Sequence, residues 1–139
     1  MRVILDTNIL ISALMTRGTP PDQLYEAWKE GQFELVSCEE QLEELRHVSH
    51  RSFFKQRLQA SEVESMLDSF RQIAVMQTHL PTLDISPDPN DNFLLALAQL
   101  SQSDFLVTGD KQGLLALKQH AKTKIVTARY LVDLLQDTL

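Results

Sequence analysis

Two short apolar runs in this chain each lead into an aspartate. Val3-Ile4-Leu5 stops at Asp6, and Phe105-Leu106-Val107 passes through Thr108-Gly109 to Asp110. Unbroken apolar triplets lack the alternation of a half-exposed strand and are too short for a helix. They read as strands buried on both faces, the kind that a parallel sheet contains. Parallel strands need long crossover connections, usually helices. The rest of the chain is therefore constrained to supply helices between strands.

It does so in order. Thr7 or Asn8 is placed to cap a helix running through Ile9, Leu10, Ala13 and Leu14. Gly18-Thr19-Pro20-Pro21 ends it, and a second helix from near Asp22 carries Leu24, Ala27 and Trp28 before ending near Gly31. Phe33 to Ser37 reads as a strand. Ser37-Cys38-Glu39-Glu40 has the form of a capping box that opens a helix to about Val48. Ser61-Glu62-Val63-Glu64 is another, followed by a stripe of Val63, Met66, Leu67, Phe70 and Ile73. Ala74-Val75-Met76 is a strand candidate, and Leu80 to Asn92 is a loop dense in turn residues. Phe93 to Leu100 reads as a buried helix, Leu114 to Lys118 as a short one, Ile125-Val126 as a last strand and Ala128 to Gln136 as a last helix. In that helix Leu131, Val132, Leu134 and Leu135 read as core rather than as an interface, the other use open to them. Alternation of this kind predicts one α/β domain over residues 1–139, with a parallel sheet covered by helices on both faces.

The same sequence narrows the cellular setting. Cys38 is the one cysteine, so no intramolecular disulfide and no Cys-rich zinc site can form; it reads as an ordinary thiol. The opening apolar run is cut by Asp6 and is too short for a signal peptide, and no run approaches the roughly 20 residues of a transmembrane helix. The expectation is a cytoplasmic protein without a membrane partner.

Folds of this class bind ligands at the carboxyl ends of their strands. Asp6 and Asp110 are placed there, and Asp91 opens a buried helix. Each also reads as a helix cap. Glu44 needs separating from Glu43. With Leu42, Leu45 and Val48 as the apolar stripe and about 100° per residue, Glu44 lies about 100° from the stripe centre and Glu43 about 160°. Glu44 flanks the core face and Glu43 points to solvent. Glu39 and Glu40 occupy a first helical turn, where the helix dipole favours them. Carboxylates gathered at one place repel one another unless a cation joins them. A hard divalent ion, Mg²⁺ or Mn²⁺, takes oxygen ligands, activates water and neutralises a phosphodiester. His47 and His50 are three apart but sit in a basic segment, so a His-bound transition metal is not expected.

The formal charge of −6 argues against binding nucleic acid through bulk positive charge. Its distribution is uneven. Residues 46–57 hold Arg46, Arg51, Lys55 and Arg57 with no acid, and residues 111–132 hold Lys111, Lys118, Lys122, Lys124 and Arg129 with none. Each stretch is either a solvated surface or a flank that grips phosphates; Arg46, Arg51, Lys55 and Lys111 are the candidate substrate contacts.

Four segments carry a resemblance. Leu5-Asp6-Thr7-Asn8-Ile9-Leu10 resembles the opening motif of PIN-domain nucleases, and Glu44-Leu45 resembles the family's second acid. Asp91-Asn92-Phe93-Leu94-Leu95-Ala96-Leu97-Ala98 resembles its third motif, and Leu106-Val107-Thr108-Gly109-Asp110 its fourth. They occur in order over nearly the whole chain, which looks most like the toxins of bacterial toxin–antitoxin pairs. The resemblance implies a three-layer α/β/α Rossmann-like fold with a central parallel sheet of about five strands, and metal-dependent endoribonuclease activity. Asp6, Glu44, Asp91 and Asp110 would hold one or two Mg²⁺ or Mn²⁺. Asn8 and Thr108 would support them through hydrogen bonds, and Asp88 would stand at the metal's edge or serve only as a turn residue. A cognate antitoxin and a homodimer are implied in the same way. Two other readings compete. One is a PIN-like module that binds RNA or protein without cleaving. The other is a phosphotransfer domain, although Asp6-Thr7-Asn8 lacks the second Asp of a D-x-D pair and Lys111 is the one plausible lysine.

Overall fold

The computed structural model describes residues 1–86, 88–110 and 112–137, the side chain of Asn90 excepted. Its strands are β1 (Arg2–Leu5), β2 (Glu34–Cys38), β3 (Val75–Gln77), β4 (Phe105–Val107), β5 (Gln119–His120) and β6 (Thr123–Val126). They form one sheet in the order β3-β2-β1-β4-β6-β5. The pairings among β3, β2, β1, β4 and β6 are parallel, as expected; β5 adds an antiparallel edge. That edge escapes sequence reading because it is two polar residues long. Its tight return relies on a left-handed backbone at Ala121 (φ 52°), a conformation that alanine rarely adopts.

The helices are α1 (Thr7–Met15), α2 (Pro20–Lys29), α3 (Glu39–Ser49), α4 (Ser52–Lys55), α5 (Ala60–Ile73), α6 (Asn92–Ser101), α7 (Leu114–Leu117) and α8 (Ala128–Asp137). The pleat of β1 sorts them into layers. Val3 and Leu5 join the core built from α1, α2, α3, α5 and α8. Ile4 points the other way, into a second core with Leu94, Leu97 and Leu114 from α6 and α7. Helices thus cover both faces of the sheet, and Leu131, Val132 and Leu135 of α8 are buried. Among the described residues no helix is long and apolar enough to cross a membrane.

Several local expectations give way. Asp6, rather than Thr7 or Asn8, occupies the cap of α1. Neither capping box caps. Ser37 stays within β2, whose pairing with β3 continues to Cys38, and Ser61 lies inside α5, one residue past its start. Ile73 ends α5 beyond the rim of the core and is 56% exposed; Leu100 lies on the outer side of α6 and is 42% exposed.

The larger core centres on Phe70, fully buried, whose ring meets Trp28 edge-on with centroids 5.1 Å apart. Phe70→Ala removes this contact and opens a cavity. The expected loss is about 3–5 kcal/mol, read from the urea midpoint at an unchanged slope.

Candidate functional site

The chain leaves β1 for one half of the sheet and returns beside it as β4. The crevice between their carboxyl ends is therefore the point where strand order reverses. Register places Leu5 opposite Val107, and the Asp6 N–H continues the ladder by donating to the Val107 carbonyl at 2.9 Å. The side chains of Asp6 and Thr108 consequently stand together. The Thr108 hydroxyl donates to Asp6 Oδ2 at 2.7 Å and accepts from the Asp110 N–H at 3.1 Å. Asp6 Oδ1 accepts from the Asn8 N–H at 3.4 Å, so Asn8 reaches the acid with its backbone. The Asp6 side chain is both a helix cap and a member of the crevice.

Asp110 folds back on its own turn. Its Oδ1 accepts from the Gly113 N–H at 3.0 Å, and a Cβ at position 113 would fall on the Asp110 carboxylate. The glycine is thus required by the acid beside it, a dependence that the D-x-x-G spacing hints at and that sequence reading missed.

Glu44 is half-buried on α3, and Glu43 is exposed. What fixes the roll of α3 is Gln41, one helical turn earlier and buried. Its Nε2 donates to the Leu5 carbonyl at 2.6 Å, and its Oε1 accepts from the Ser37 hydroxyl at 2.5 Å. This clamp ties α3 to the last residue of β1, directly before Asp6. A polar residue on an apolar stripe was its only sequence signal. Thr7 Oγ1 is buried beside Glu44, favours its charged form and makes no well-formed hydrogen bond.

Asp91 stands at the start of α6, after a 3₁₀ turn at Pro89–Asp91, and its carboxylate makes no capping bond. Asn92 takes over the local work: its Oδ1 accepts from the N–H groups of Ile85 and Ser86, pinning the preceding loop. Asp88, exposed in that loop, raises the pKa of both Glu44 and Asp91 through its charge.

Asp6, Glu44 and Asp91 each feel the charge of neighbouring carboxylates. Burial, then the charges of Asp6, Asp88, Asp110 and Glu44, push Asp91 up to about 7. Burial is also the main cause that raises Asp6 and Glu44; Thr108 opposes it for Asp6, and Thr7 and Arg51 oppose it for Glu44. Such a cluster is short of positive charge, and its donors are all oxygens, the chemistry of a hard divalent cation. Among the described residues no three His, Cys, Asp or Glu side chains stand close enough to hold an ion as they are. Asp6 and Asp110 instead accept bonds from Thr108 and Gly113. The donor set fits the ion by type, and Asp110 would have to turn from Gly113 to join it.

Of the candidate substrate contacts, Arg46 ion-pairs with Glu64 at 3.7 Å. Arg51 lies near enough to Glu44 to favour its charge, and Lys55 lines a surface cavity with Arg46. Lys111 lies outside the described residues. In the second basic stretch, Lys122 and Lys124 gather with Met1 and Asp104 at the amino ends of the strands, the end opposite Asp6. These two lysines therefore do not flank the crevice. Cys38 is buried, which pushes its thiol up to about 12 and leaves it unreactive.

The family model for the PIN domain matches residues 2–112. No curated protein matches the chain.

The pKa shifts have a consequence for stability. Asp91 keeps its proton in the folded chain up to about pH 7, whereas its ordinary value is 3.8. Between these values the unfolded chain releases a proton that the folded chain retains, so folding weakens as pH rises through this window and stays weakened above it. In chelator, the melting temperature of Asp91→Asn should match that of the parent near pH 4 and exceed it at pH 8. Mn²⁺ at pH 8 should raise the parent's melting temperature and leave that of the variant nearly unmoved.

Proposed function

The chain belongs to the PIN-domain family, and on that premise we propose that it is a Mg²⁺- or Mn²⁺-dependent endoribonuclease acting as the toxin of a toxin–antitoxin pair. Members of the family are generally nucleases. The observation that carries the reading is the gathering of Asp6, Glu44, Asp88 and Asp110 near enough to Asp91 that burial and then their charges bring it to about 7.

Roles follow from position. Asp6, Glu44, Asp91 and Asp110 would hold one or two ions. When bound, the ion lowers the pKa of water and offsets charge on the phosphate under attack. The Thr108 hydroxyl fixes the Asp6 carboxylate from one side and the Asn8 N–H from the other. The Gln41 clamp sets the depth of Glu44. A carboxylate left outside the ion's shell accepts the proton from the attacking water. Arg51, with Arg46 and Lys55 behind it, meets the phosphates that flank the scissile bond, and Lys111 follows Asp110 directly in sequence. The working unit is residues 1–139, because β6 and α8, which follow the matched span, complete the same sheet and core. We assign it to the cytoplasm, restrained by a cognate antitoxin, with self-association as a homodimer.

One observation favours a second reading. The Asp110 carboxylate is turned onto Gly113, as suits a PIN-like module that binds RNA or protein without cleaving. Mapping new RNA ends on total cellular RNA with Mn²⁺ separates the two. Ends should appear with the parent chain and be absent with chelator, Asp6→Asn or Asp91→Asn, while both variants keep the parent's circular dichroism. Cleavage undiminished in both variants would remove the acids from the mechanism; no cleavage by the parent favours the binding module.

A further inference from the structure

The acid-free segment between α3 and α5 holds an aromatic side chain that the proposed chemistry does not use. Phe53, in α4, is 54% exposed. It is held from two sides. Phe54 meets it edge-on at 5.0 Å between centroids and 86° between planes, and packs in turn against the core. The guanidinium carbon of Arg57 lies 3.8 Å from the Phe53 ring centroid, and Arg57 Nη1 donates to the Phe53 carbonyl at 2.7 Å. The ring is thus fixed, and much of it faces solvent.

Its surroundings are cationic. Arg46 and Lys55 border a cavity of about 260 Å³ next to α4, with Glu64 offsetting Arg46. Among the described residues neither Arg51 nor Lys55 belongs to an ion pair. Arg51, the residue before α4, connects this surface to the acidic crevice through its proximity to Glu44. An exposed ring backed by a guanidinium and bordered by uncommitted cations is complementary to a strand that presents flat bases and phosphates in succession. A protein partner would need acids to match the cations.

We propose that Phe53, backed by Arg57, is a stacking subsite for one unpaired base of the bound RNA strand, with Arg51 and Lys55 holding the phosphates on either side. The subsite rests on the nuclease reading for the identity of its strand, but stacking itself requires no cleavage. It predicts that the strand must be unpaired where it passes α4.

Fluorescence on the full chain tests this. Trp28 is 3% exposed and gives a constant background, so Phe53→Trp places one accessible indole at the subsite. With Ca²⁺ as the hard cation, a single-stranded oligoribonucleotide should quench the new indole and a duplex of the same sequence should not. By anisotropy, Phe53→Ala and Phe53→Leu should bind the single strand about 5- to 150-fold more weakly, with Phe53→Trp close to the parent. Parent-like affinity in both the alanine and leucine variants, or equal quenching by duplex, overturns the subsite. If affinity is unchanged and sedimentation shows that Phe53→Ala has lost self-association, the ring is a protein contact and the proposal fails. Absence of Mn²⁺-dependent cleavage with quenching intact would overturn the nuclease reading alone and support the subsite.

Discussion

Burying the Asp6 carboxylate requires donors, and the Thr108 hydroxyl supplies the shortest one. That single oxygen does two things: it gives its proton to Asp6 and takes one from the Asp110 backbone. Both contacts depend on register. The parallel pairing of β1 with β4 sets Leu5 against Val107, and a shift by one residue would turn Thr108 to the opposite face. Everything else in the crevice is arranged around this pair. The Gln41 amide reads the carbonyl just before Asp6, and α6 brings Asp91 in from the opposite layer. A hydrophobic residue at 108 would leave a buried carboxylate short of a partner, a far worse defect than a lost surface bond.

The sheet and its layers were legible because their signal is coarse: apolar triplets, helical stripes and their alternation. The acids at strand ends were legible for the same reason, since a charge that interrupts an apolar run has few places to go. The failures were local. Ser37 and Ser61 fit a capping pattern in sequence, yet strand pairing carries β2 on to Cys38 and a start at Ala60 places Ser61 within α5. Ile73 continues a stripe that outlasts the core it serves. The two-residue β5, the Gln41 clamp and the tie between Gly113 and Asp110 all depend on neighbours distant in sequence or on backbone geometry, so no window of residues could display them. Of the two basic stretches, identical in character on paper, only the chain path reveals that Lys122 and Lys124 lie at the opposite end.

The acidic crevice is a place where stability is given up. Burial raises the pKa of Asp6, Glu44 and Asp91, and the charges of neighbouring carboxylates raise them further. A chain selected for stability alone would place amides or apolar residues there, as the well-packed interior around Phe70 illustrates. Local conflict inside an otherwise consistent fold is a feature that functional sites share. Asp91, whose carboxylate serves no helix cap, is the clearest instance.

The bond between Thr108 and Asp6 spans 102 positions of sequence. Contacts of such separation form late, after the entropy of closing a very long loop has been overcome. During synthesis the amino-terminal helices can take shape while β4 is still unmade, and until then the crevice lacks one wall. A ribosome-bound fragment of this chain therefore carries Asp6 and Glu44 without the group that orders them. The order of synthesis is thus also an order of assembly: the Asp6 carboxylate gains its shortest donor only once residue 108 has emerged.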